Sequence, residues 1–154
     1  MSPRRHPLFA ALFIVLALVV AGCGGGPSKD DYERGLGKVQ SQLEGANEAS
    51  REASQTTDPA ERSAALDEAQ KSIKLAADTA EGLQPPEDAE SEHEQLASAL
   101  RDYAELFGEL ATLEDDDPRQ TELYGEAGKI VERLDGANRA LDKAGYQVPG
   151  KDDE

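Results

Sequence analysis

Apolar side chains recur between residues 30 and 144 at intervals of three and four, the repeat that gathers them on one face of an α-helix. In the stretch Asp30–Gln55 they are Tyr32, Leu36, Val39, Leu43, Ala46, Ala49 and Ala53. Leu66, Ala69, Ile73, Ala76, Ala80 and Leu83 continue the rhythm along and just past Pro59–Glu81. A third set, Leu96, Leu100, Tyr103, Phe107, Leu110 and Leu113, marks Glu87–Leu113. The fourth, Leu123, Ala127, Ile130, Leu134, Ala137, Leu141 and Ala144, marks Pro118–Ala144.

Turn chemistry separates the four stretches. Asp58 stands where its carboxylate can cap a helix, Pro59 suits the first helical turn, and Glu61 completes a capping-box arrangement. Asp117 and Pro118 repeat the pattern after the acidic run Glu114–Asp117. Gly82 offers a left-handed cap with Leu83 as its apolar contact before Pro85-Pro86 forbids continuation, and Gly145-Tyr146 closes the last helix in the same way. The shared Asp-Pro turns and Gly-apolar-Gln endings are compatible with a diverged repeat of two helical hairpins, although convergent turn chemistry gives the same pattern.

Four amphipathic helices of similar length joined by short turns predict an all-α fold, an antiparallel up-down four-helix bundle over residues 30–146, followed by a disordered acidic tail over 147–154. Gly35, Gly37, Gly45, Gly108, Gly125, Gly128 and Gly136 fall inside the helices at up to about 1 kcal/mol each. Close helix approach accounts for them, as would a mobile first helix.

A different pattern precedes the bundle. Met1–His6 carries Arg4 and Arg5 without an acid, and Leu8–Ala21 is an unbroken apolar run, the layout of an export signal. As a helix this run reaches about 21 Å, short of the roughly 30 Å hydrocarbon core, so cleavage is expected rather than a permanent span. Pro7 stands where a twin-arginine signal usually has a bulky apolar residue, which favours general secretory export.

The run ends in Val20-Ala21-Gly22-Cys23, which resembles the bacterial lipobox: an aliphatic residue, two small residues and a cysteine. The resemblance implies that residues 1–22 are a lipoprotein signal peptide cut between Gly22 and Cys23, and that Cys23 takes the lipid. Burying its acyl chains at about 0.8 kcal/mol for each CH₂ would anchor the chain to the extracytoplasmic face of the cell membrane. Residues 23–29 then form a lipidated flexible tether of about 13 Å root-mean-square span. In that geometry the Leu83–Glu87 loop and the C-terminus lie near the membrane, and the Asp58 and Glu114–Asp117 turns point away from it.

Charge narrows the partners. The whole chain holds 16 Lys and Arg against 32 Asp and Glu, and loss of Arg4 and Arg5 with the leader leaves 14 against 32, a net charge of −18. Such a field repels phosphate backbones and anionic polymers, so nucleic acid is not an expected partner. Aromatic residues make up 5% of the chain with no Trp, which disfavours recognition by stacking.

Candidate chemistry is sparse. Cys23 is the only cysteine, which leaves neither an intramolecular disulfide nor a cysteine metal cluster. Glu90 and His93 have the spacing of a carboxylate-bridged metal site, but a di-iron bundle needs two such pairs, and His93-Glu94 lacks the second histidine of a zinc protease. His93 is therefore expected as a solvated residue in the first turn of the third helix. Asp115-Asp116-Asp117 lacks the alternation and glycine of a calcium loop and reads as capping plus solvation. No catalytic residue, cofactor or metal is expected.

Leu83-Gln84-Pro85-Pro86, His93-Glu94 with Leu96, and Ala99-Leu100 with Tyr103 resemble small helical lipoproteins common in high-GC Gram-positive bacteria, over about half of the mature chain. The likeness implies an address and a bundle, not an activity. Some of those proteins carry a cysteine near the C-terminus; Val148-Pro149-Gly150 stands there in this chain, so no disulfide carries over. The function expected is a non-enzymatic, membrane-anchored interaction module that contacts another envelope protein. The alternative is an envelope receptor for a small ligand or cation.

Overall fold

The computed structural model describes residues 28–114 and 117–148, and among these every regular element is helical. The elements are α1 (Lys29–Gln55), α2 (Pro59–Gly82), a single 3₁₀ turn (Glu87–Ala89), α3 (Glu90–Leu110) and α4 (Arg119–Lys143). The leader, the lipobox residues Gly22 and Cys23, Asp115, Asp116 and residues 149–154 lie outside the described residues.

Each start and stop has a local cause. Ser28 Oγ accepts from the Asp31 N–H at 3.1 Å and its hydroxyl donates to the Asp31 carboxylate at 2.7 Å, so the last two residues of the expected tether are instead the cap and first residue of α1. Asp58 Oδ1 accepts from the Ala60 and Glu61 N–H groups at 2.8 and 3.2 Å, the cap its position before Pro59 predicts. Glu61 does not return to the cap amide: its carboxylate accepts from the Thr56 hydroxyl, which in turn accepts from the Asp58 N–H.

The two glycine endings differ. After α4, Gly145 is left-handed at φ 92°, with Gly145 N–H on the Asp142 carbonyl and Tyr146 N–H on the Leu141 carbonyl, a Schellman cap. Gly82 stays helical and is not the left-handed cap expected; the extended Leu83 ends α2, and its side chain packs onto Gly35 of α1 instead. The likeness between the hairpins therefore stops at their endings. α3 is shorter than its apolar pattern. It begins after the 3₁₀ turn Glu87–Ala89, which follows the extended Pro86. Its helix ends at Leu110, where Thr112 turns both its N–H and its hydroxyl to the Glu109 carbonyl.

Extensive backbone contacts join α1 to α2, α2 to α3 and α3 to α4. Among the described residues α1 and α4 make none of comparable extent. The core follows the apolar stripes: Leu36, Val39 and Ala46 from α1, Leu96, Leu100, Phe107 and Leu110 from α3, and Leu123, Leu134 and Leu141 from α4. α2 contributes mostly alanine, with Ala69, Ala76 and Ala80 fully buried around Ile73. Small α2 against large α3 lets the two backbones come close, the alternation that close packing requires. Ala144 is exposed rather than in the stripe, because the Schellman turn ends the helical repeat there.

Candidate functional site

At one end of the helices Tyr32 near the start of α1, His93 near the start of α3 and Tyr146 just after α4 converge in the core. Tyr32 is 1% exposed and His93 7%. The Tyr32 hydroxyl and His93 Nδ1 lie 3.1 Å apart. With a neutral ring the phenol donates and Nδ1 accepts, while the Ala80 backbone of α2 also hydrogen-bonds the imidazole. Tyr32 meets both His93 and Tyr146 edge-on, with ring centroids 5.6 and 5.4 Å away.

Two carboxylates complete the cluster. The Tyr146 hydroxyl donates to Asp88 of the 3₁₀ turn at 2.5 Å. The Gln147 N–H donates to Glu33 of α1 at 2.7 Å, and Lys29 stands 3.6 Å from the same Glu33. Val148 packs against the core, so the expected disordered tail opens with residues that are held in place.

His93 corrects the expectation of a solvated side chain. Counted from the start of α3, its position follows the same period as Leu96 and Leu100, and inside the core the Tyr32 hydroxyl gives Nδ1 a partner. Glu90 is exposed, so the Glu90–His93 spacing brings no metal-binding pair together. Among the described residues no group of three or more His, Cys, Asp or Glu is placed to hold a metal ion.

Burial sets the protonation states. Desolvation pushes the His93 pKa below its ordinary value, against the opposing pull of the Ala80 backbone. Desolvation likewise pushes the Tyr32 phenol well above its ordinary range, with Tyr146 and Glu92 adding to the rise. Tyr146 is pushed up to about 12, chiefly by its hydrogen bond to Asp88. At neutral pH the imidazole is thus neutral and both phenols keep their protons.

Sequence reasoning named Tyr32, Gly145 and Tyr146 as helix-face and capping residues but did not join them to His93 or Asp88. The available signal was weak: two tyrosines and one histidine at the ends of different apolar stripes.

The opposite end carries the turn residues. Asp117 Oδ1 accepts from the Arg119 N–H at 2.8 Å, the capping role its position predicts. Arg119 pairs with Glu109, and Pro59, Ser63, Leu66, Leu110, Gln120 and Tyr124 border a cleft of about 30 Å³, room for a water or two. Among the described residues Leu75, Tyr124 and Val131 are the large apolar side chains left exposed. No described helix is long and apolar enough to cross a membrane. No family, curated protein or solved structure matches the chain.

Proposed function

We propose that this chain is a bacterial lipoprotein whose bundle serves as a non-enzymatic interaction module on the extracytoplasmic face of the cell membrane, held there by a lipid on Cys23. The observation that carries the reading is Val20-Ala21-Gly22-Cys23 at the end of a basic, then wholly apolar leader. The Ser28 cap agrees with it, since an ordered body that begins only five positions after Cys23 would sit against the membrane. The exposed side chains around the helices are polar apart from a few, which suits a domain attached by a lipid rather than by its own surface.

Within this reading the helices run up and down in alternation, with α1 and α3 starting at the lipid end. The meeting of Tyr32, His93 and Tyr146 at one end, and of Ser63 with the Ala111 carbonyl at the other, supports that course. The distal end, with Asp58 and Asp117, is then the part presented to an envelope protein.

Palmitate labelling of cells expressing the chain tests the anchor. Label should enter the wild type at Cys23 and be absent from Cys23→Ser, whose product keeps its leader. A wild-type protein recovered without label and free of the membrane would end the proposal. Photocrosslinkers at Glu61 and Gln120 on the distal turns should capture one envelope protein that crosslinkers on the opposite end at Glu87 do not.

A further inference from the structure

We propose that the cleft at the Asp58 end, with the flank of α4 beside it, docks a basic segment of an envelope protein that carries an apolar anchor side chain. The inference rests on the reading that this end is presented to a partner, and adds the chemistry of that partner. Tyr124 and Val131, two of the exposed large apolar side chains, lie seven residues apart on α4, which sets them on one flank about 10 Å from each other. Tyr124, 60% exposed, also lines the cleft together with Pro59 and Leu66 of α2 and with Leu110 and Leu113 at and just after the end of α3. Apolar surface therefore continues from the cleft onto Tyr124 and along α4 to Val131. Between these two, Gly128 has no neighbour within 4 Å, so the helix gives up propensity there for no contact inside the fold and leaves its surface low.

Size and charge decide what fits. A cleft of about 30 Å³ is an order of magnitude short of a pocket that encloses a metabolite, and serves instead as a notch for one side chain of a larger partner. The chain neighbours of the cleft residues are acidic: Asp58 precedes Pro59, Glu61 precedes Arg62, Glu114 follows Leu113, and Asp117 stands three residues before Gln120. Gln120 Nε2 donates to the Glu114 carbonyl at 2.7 Å, which holds that acidic turn against α4. Of the basic side chains at this end, Arg119 is paired with Glu109 and Glu122, and Arg62 lines the cleft itself. A second copy of the chain would bring the same acids against one another, and anionic headgroups would be repelled alike. A cationic segment is drawn in by the field, and its apolar side chain gains the Tyr124 ring and the notch, the aromatic centre and charged rim of an interface hot spot.

Panning a phage-displayed library of random short peptides on the full chain in detergent micelles tests the surface. Enriched peptides should carry net positive charge and at least one large apolar residue, and their affinity should fall as salt is raised. Binding should weaken at least about tenfold for Tyr124→Ser, less for Val131→Ser, and stay unchanged for Leu75→Ser, which alters the exposed apolar side chain of α2 outside this flank. Because Tyr124 and Val131 are exposed, both variants should keep the wild-type circular dichroism spectrum. Enrichment of acidic or wholly polar peptides, basic peptides that bind Tyr124→Ser as tightly as wild type, or no enrichment at all would overturn the proposal. So would self-association of the chain that Tyr124→Ser abolishes, since a second copy would then be the occupant. A partner caught by the crosslinkers at Glu61 and Gln120 through an acidic segment would end this inference and leave the presentation of that end to an envelope protein standing.

Discussion

Adding one methyl group to a helical glycine should change stability in opposite directions at Gly35 and Gly128. At Gly128 a Cβ meets open space, so Gly128→Ala gains helix propensity and should stabilise the fold by about 0.5–1 kcal/mol. A Cβ at Gly35 would stand 2.3 Å from Leu83 Cδ2 and 2.9 Å from Cδ1. Leu83 follows the last residue of α2 and is partly buried against the core, so moving its methyl groups aside gives up some of that packing. Overpacking of that kind costs about 1–3 kcal/mol. Set against the same propensity gain, Gly35→Ala should destabilise by about 1 kcal/mol. The two variants then differ by about 2 kcal/mol, or several degrees in Tm for a bundle of this size. Urea unfolding followed by far-ultraviolet circular dichroism resolves such a gap. In a Leu83→Ala background the clash is gone, and Gly35→Ala should become stabilising. A Gly35→Ala protein at least as stable as wild type would refute the packing argument. At Gly108 the near atom is Gln70 Nε2 at 2.1 Å, the end of a flexible side chain that can swing away, so Gly108→Ala should fall between the other two.

Other expectations follow from single contacts. Asp58→Ala removes two cap hydrogen bonds and should cost about 1 kcal/mol in urea unfolding, whereas Asp58→Asn should keep most of that stability. The His93 imidazole should titrate by NMR with a midpoint below about 6.5; neutral His93 then contributes stability that is complete above about pH 6.5 and lost as pH falls through the folded value. Tyr146 holds its proton up to about 12, so its contribution is complete below about pH 10 and lost as pH rises through that window; absorbance titration at alkaline pH should show one late phenol fewer in Tyr146→Phe. Ala76→Leu in the fully buried seam of α2 should cost about 1–3 kcal/mol, measurable as a drop in Tm.

How far the site was legible depends on the range of the interaction. Caps at Asp58 and Asp117 and the left-handed Gly145 were readable because donor and acceptor lie within a few residues of one another. Gly82 misled, since glycine permits a left-handed cap without requiring one; the turn was set by Leu83 reaching α1. His93 misled for a related reason. A lone histidine in an acidic first turn looks solvated until Tyr32, 61 positions earlier, arrives to satisfy it.

The chain's own residues, taken one stretch at a time, were enough for four amphipathic helices, the caps at Asp58 and Gly145, and the acidic balance. Periodicity and capping act within a few turns, and such signals survive in a linear string. Only the packed structure decided which glycines admit a neighbour, that the residues just after α4 reach the start of α1, and that Tyr32, His93, Tyr146 and Asp88 form one cluster. Those outcomes depend on distances between residues far apart in the chain, which no local pattern encodes.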